Sequence, residues 1–169
     1  MLYEFAQRLV QLRADNDDDA GDSYDSDGLL VTAGRCIDAL AFVVLQDLLK
    51  CLDQSAAAPA SLIAAHVDVI AAVIPAGMQL LGHCDDDVSE TMLPSLQEYL
   101  SVAKQAGAVL GDDYPEVLQQ LLTTTVIKLK YELDDEPDNG SEEDALFQEF
   151  RRELKSLFGN LCHWVGSSD

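Results

Sequence analysis

Residues 128–161 read KLKYELDDEPDNGSEEDALFQEFRRELKSLFGNL. Upstream of this stretch, Leu118, Leu121, Leu122, Thr125, Val126 and Leu129 recur at steps of three and four, the period of one helix face. That helix closes on Lys128 and Lys130, cations suited to the negative end of a helix dipole. Asp134 to Gly140 cannot continue it, because Pro137, Asn139 and Gly140 break helical geometry. Ser141, with Asp144 three residues on, then caps a second helix. Its core face is Phe147, Phe150, Leu154, Leu157, Phe158 and Leu161. The stretch therefore predicts two helices joined by an acidic loop over 132–143, folded back on each other as a hairpin.

The same pattern extends toward the N-terminus. A first helix is expected over 2–13, with Leu2, Phe5, Ala6, Leu9 and Leu12 on one side. An Asp-rich insertion, 15–28, separates it from a second helix over 30–53, whose stripe is Ile37, Leu40, Ala41, Val44 and Leu48. After the break at 55–61, a third helix runs over 61–81. Its face is Ile63, Val67, Ile70, Ala71 and Ile74, and Pro75 should kink it. Asp87 with Glu90 reads as the cap of a fourth helix that continues to Gln105 and bends at Pro94. Asp112, Asp113 and Pro115 announce the fifth helix, and the sixth is the one described above.

Six helices with short or acidic connections pair as three antiparallel hairpins. Equivalent helices recur about every 50 to 60 residues, longer than the roughly 40–47 of HEAT repeats, with loop insertions making up the excess. The expected fold is all-α: a HEAT-type α-solenoid segment forming one helical-repeat unit over 1–169, with a compact six-helix bundle as the alternative. Stacked hairpins bury their apolar faces only against neighbours, and neither end here reads as a polar cap.

Composition narrows the function classes. Apolar residues are 48% of the chain, enough for a core. Ten Lys and Arg stand against 31 Asp and Glu, a net charge of −21, which repels nucleic acid and anionic membranes at long range and attracts basic proteins. Cys36, Cys51, Cys84 and Cys162 lack metal or redox spacing, and no signal peptide is read at the N-terminus, so buried, reduced thiols are expected. The apolar run 39–45 is bracketed by Asp38 and by Gln46 and Asp47, short of the roughly 20 residues a membrane span needs.

Sites of catalysis or metal binding find little support. Asp15, Asp17 and Asp19 imitate the start of a calcium loop, but Ala20 stands where Gly is required and Ser26 where a bidentate Glu belongs. His83–Cys84 and Cys162–His163 are adjacent pairs, whose side chains diverge on a helix, so zinc is rejected. His66 reads as structural. No nucleophile elbow, phosphate loop or HExxH motif occurs. Neither an enzyme nor a cofactor is expected. The basic residues Lys128, Lys130, Arg151, Arg152 and Lys155 allow two readings. They match helix dipoles and pair locally, as Glu149 with Arg152 would, or they form a local positive strip.

The helix, acidic loop, helix stretch resembles a repeat of the importin-β superfamily of nuclear transport receptors. A second stretch, LLGHCDDDVSETMLPSLQEYLSVAKQ over 80–105, resembles the exportin-T family within it. The residues carrying the likeness include Leu80, Leu81, His83, Asp85, Asp86, Asp87, Tyr99, Leu100, Lys104 and Gln105. In the later block they include Leu129, Lys130, Tyr131, Asp144, Phe147, Phe150, Arg151, Leu154 and Lys155. The likeness fades upstream of about Asp68. It implies the central part of a long HEAT solenoid, without the N-terminal Ran-binding repeats. It also implies binding of Ran in its GTP form and of tRNA by the whole receptor, passage through nuclear pore proteins, and shuttling between nucleus and cytoplasm. On it, the second helix of each hairpin lines a concave face, which places Arg151, Arg152 and Lys155 toward cargo. Another importin-β-type receptor with protein cargo, or a HEAT-repeat interaction scaffold, remains the alternative.

Overall fold

A computed structural model describes residues 23–53, 58–130 and 142–166. Every regular element among them is helical: α1 (Ser23–Asp53), α2 (Ala60–Leu81), α3 (Asp86–Glu90), α4 (Leu93–Ala106), α5 (Tyr114–Lys130) and α6 (Glu142–Gly166), with a 3-10 turn at Gly107–Val109. The expected first helix over 2–13 and most of the acidic loop lie outside the described residues.

The helices form two layers. α1, α4 and α6 occupy one and α2 and α5 the other, with α1 packed across to α2 and α5 across to α6. Side-chain contacts fix the directions. Gly34 backs onto Thr91, Asp38 Oδ1 accepts from Ser95 N at 2.9 Å, and Gln46 Nε2 donates to Glu98 Oε1 at 2.6 Å. Numbers rise together, so α1 and α4 run parallel. In the α5–α6 hairpin Tyr114 meets Trp164 edge-on at 6.4 Å while Lys128 sits over Phe150, so these two run antiparallel. α2 and α5 are thus the first, and α1, α4 and α6 the second, helices of successive hairpins. This is the layering of an α-solenoid segment.

A continuous core fills the space between the layers. Leu45, Leu48, Ile74, Leu81, Met92, Leu96, Leu118, Leu121, Phe150, Leu154 and Leu157 are sealed from solvent within it. At roughly 1.5–3 kcal/mol per fully buried aliphatic side chain, these stripes are what holds the stack.

Several sequence expectations need correction. α1 begins at Ser23, inside the Asp-rich stretch, and not at 30. The fourth helix is two pieces. α3 ends at Glu90, and α4 restarts at Leu93, with Pro94 in its first turn where a missing N–H costs nothing. The cap of α3 is Asp85, whose carboxylate accepts from Asp87 N and Val88 N. α2 holds Pro75 inside one helix, as expected over 61–81, but Ala71 lies on its exposed side. The four cysteines are free, but Cys36, Cys84 and Cys162 are exposed and Cys51 half-buried, against the expectation of buried thiols. Gly28–Asp53 and α2 are long and apolar enough to cross a membrane by length and composition. The short-run argument missed this because a span tolerates one or two charges. Both helices place residues in the helical core.

Candidate nucleic-acid interface

The five basic residues occupy the last turn of α5 and the middle of α6. Sequence spacing already distinguishes them, since Leu118, Leu121, Thr125 and Lys128 follow one buried line along α5. Lys128 is 7% exposed. Its ammonium lies 2.6 Å from Asp86 Oδ1 and donates to the His83 carbonyl at 2.8 Å, and it stands 5.9 Å above the Phe150 ring. Burial of a lysine at this depth requires such partners. Lys128 therefore ties α5 to the α2–α3 turn. The residue pattern contained that signal, which neither the dipole-match nor the positive-strip reading of Lys128 took up.

The other four lie nearer the surface. Lys130 is exposed at the last turn of α5, Arg152 and Lys155 are exposed on α6, and Arg151 is half-buried. Arg151 and Lys155 are one turn apart, and Arg152 and Lys155 share the same sector. Arg152 Nη2 lies 2.6 Å from Glu149 Oε1 in the local pair anticipated from spacing. Both partners are more than half exposed, so water screens the bond and it leaves Arg152 available at little cost.

An acidic group faces the same helix. Glu90, at the end of α3, is half-buried, and burial raises its pKa above the ordinary carboxylate value. The nearby charges of Glu153, Asp87 and Glu149 push the same way, while Arg35 on α1 opposes them. α6 therefore carries acids toward α3 at Glu149 and Glu153 and bases beside them at Arg151, Arg152 and Lys155. Sequence reasoning missed this cluster because its members come from three helices, and only packing brings them together.

The turn that receives Lys128 is itself closely bonded. Ser89 Oγ donates to the Asp85 carbonyl at 2.9 Å and lies 3.1 Å from the His83 carbonyl, and His83 Nδ1 accepts from Asp85 N at 3.0 Å. His83 and Cys84 thus serve turn geometry. Among the described residues no group of three or more His, Cys, Asp or Glu is placed to hold a metal. Cys162 and His163 are exposed near the end of α6. The Asp-rich residues 15–22 lie outside the described part.

Comparison with known proteins converges on one family. The exportin-T family profile matches residues 62–163. Exportin-T of Mus musculus is 32% identical over 96 residues, 57% of this chain and 10% of that protein. Exportin-T of Danio rerio is 34% identical over 89 residues, 53% of this chain and 9% of that protein. Exportin-T of Homo sapiens is 33% identical over 85 residues, 50% and 9% respectively. The chain spans about a tenth of the length of these relatives. No solved structure matches it. The matched residues begin in α2, so α1 lies outside them.

Proposed function

The chain belongs to the exportin-T family, a family of nuclear transport receptors and not of enzymes, and from that premise we propose that it is a segment of a receptor for Ran-dependent export of tRNA. The observation that carries the reading is the continuous family match over 62–163, across both layers of the solenoid. In this reading tRNA and Ran in its GTP form bind the whole receptor, nuclear pore proteins pass it, and it shuttles between nucleus and cytoplasm. Lys130, from the last turn of α5, and Arg151, Arg152 and Lys155, from the middle of α6, face cargo, while Lys128 supports them from the core.

Magnitudes separate the segment from the receptor. With a net charge of −21 the chain repels a polyanion, and four surface cations offset few phosphates. Four contacts give a salt slope of about −3 to −4 and binding no tighter than the non-specific range of roughly 10⁻⁴–10⁻⁶ M. The chain alone is therefore expected to show no tRNA shift at physiological salt, and submicromolar binding would contradict this. In a receptor chain carrying the segment, Arg151→Glu, Arg152→Glu and Lys155→Glu together should weaken the tRNA–Ran-GTP complex in a gel-shift titration. Unchanged assembly removes these residues from the interface.

A further inference from the structure

We propose that two copies of this chain pair through the open side of α1, in antiparallel register about a two-fold axis near Ala39. Gly34 and Asp38 turn one side of α1 toward Thr91 and Ser95, and Ile37, Leu45 and Leu48 are held in the core. The side left over carries Leu29, Cys36, Val43 and Lys50 at steps of seven, with Thr32 and Ala39 between them. All six are exposed. That spacing is the seam of a two-helix coiled coil, in which alternating steps of three and four keep one narrow line facing a partner. Leu29 is 55% and Val43 56% exposed, and only 28% of the most apolar stretch of Gly28–Asp53 is buried. An apolar line of this length on a charged surface calls for a partner. It lies outside the residues matched to exportin-T.

The charges along α1 identify the occupant and its direction. In a parallel pair each seam residue meets its own equivalent, and Lys50 would oppose Lys50. Turned antiparallel about Ala39, the stem of Lys50 covers Leu29 of the second copy, and Cys36 meets Val43. On the flank nearer α4, Arg35 of each copy comes beside the exposed Phe42 of the other, a cation over an aromatic face. On the opposite flank Leu40, half-buried in one chain, packs against Leu40 of the second. Asp47 keeps its own-chain bond to Lys50 at 2.8 Å. The surface is thus complementary to itself, as a two-fold contact requires. Arg35 and Lys50 against Asp47 also leave this side without the acid excess of a chain whose net charge is −21. Two such acidic bodies can approach here at the least electrostatic cost.

The contact needs neither tRNA nor Ran. In sedimentation equilibrium of the full, reduced chain, the average mass should rise toward that of two chains between micromolar and near-millimolar concentration. Raising salt from about 50 to 500 mM should tighten the pair several-fold, because the acidic bodies repel each other beyond the contact. Ala39→Arg sets two cations across the axis and should weaken pairing at least about tenfold, with helical circular dichroism unchanged. With the four native cysteines replaced by Ser, oxidation should join Ala39→Cys chains into disulfide dimers. Leu29→Cys chains, whose thiols would lie at opposite ends of the contact, should stay monomeric. A monomer at every concentration overturns the proposal, and one that floats with phosphatidylcholine vesicles assigns the line to a lipid surface instead. Pairing indifferent to Ala39→Arg places the dimer on another face and overturns it too. Ready crosslinking of Leu29→Cys overturns the antiparallel register.

Discussion

Lys128 and Asp86 lie 42 positions apart in sequence and meet at 2.6 Å between Nζ and Oδ1, joining the last turn of α5 to the first turn of α3. The His83 carbonyl completes the ammonium's shell at 2.8 Å. Asp86 is one-third exposed and Lys128 is buried, so the two partners are not equivalent. Asp86→Ala strands a cation in the core and should cost about 1–3 kcal/mol in urea unfolding. Lys128→Met removes the charge with its stem replaced by apolar volume and should cost less. The reverse order would show that the pair does not govern this turn.

Asp85 caps α3 through two backbone amides. Asp85→Ala should lower stability by about 1 kcal/mol, and Asp85→Asn, which keeps an acceptor, by a few tenths at most. Thermal melts of the two variants side by side decide this. Equal losses would mean that the charge, and not the cap, matters.

Gly34 allows α1 to approach Thr91. A Cβ there would run into the Thr91 hydroxyl, which donates to the Val88 carbonyl at 2.7 Å. In an open helix Gly→Ala gains about 1 kcal/mol, but here overpacking of about 1–3 kcal/mol opposes it. Gly34→Ala should therefore destabilise, and Thr91→Ala in the same chain should recover part of the loss. A stabilising Gly34→Ala in denaturant titration would show that the two helices can separate freely.

Glu90 gives the stack a pH dependence of definite sign. Burial first, and then the neighbouring acids, raise its pKa in the folded chain. The folded state therefore holds this proton more tightly than the unfolded state, and the contribution to stability falls as pH rises through the upper carboxylate range. Glu90→Gln should raise the melting temperature at pH 7.5 and have little effect near pH 4. An equal shift at both values would exclude proton linkage at this position.

The helices and their inward faces were legible in the sequence because a 3.6-residue stripe such as Leu118, Leu121, Thr125 shows without any knowledge of the partner. The break at Thr91 was not, since Pro94 is equally compatible with a bend inside a helix and with the start of one. Lys128 was misread for a related reason. Its place on the buried line was visible, but the His83 carbonyl that makes burial tolerable is supplied from 45 positions away. The Glu90, Glu149 and Glu153 group depends wholly on how α3 meets α6. The exposed cysteines depend on which sides of the helices are left uncovered.

The parallel course of α1, α4 and α6 has an electrostatic consequence. Antiparallel neighbours cancel one another's backbone dipoles, whereas three helices pointing the same way add theirs. Side chains follow that polarity. Lys50, Lys104 and His163 sit in the last turns of the three helices, while Asp86 and Asp87 lead into α4 through the first turn of α3. The layer is thus polarised edge to edge. At the amino end of α4 carboxylates stand near the helix start, and at the carboxy ends of α1 and α4 Lys50 and Lys104 meet the last carbonyls. The α2 and α5 layer runs the opposite way, so along each edge of the stack the amino termini of one layer stand beside the carboxy termini of the other.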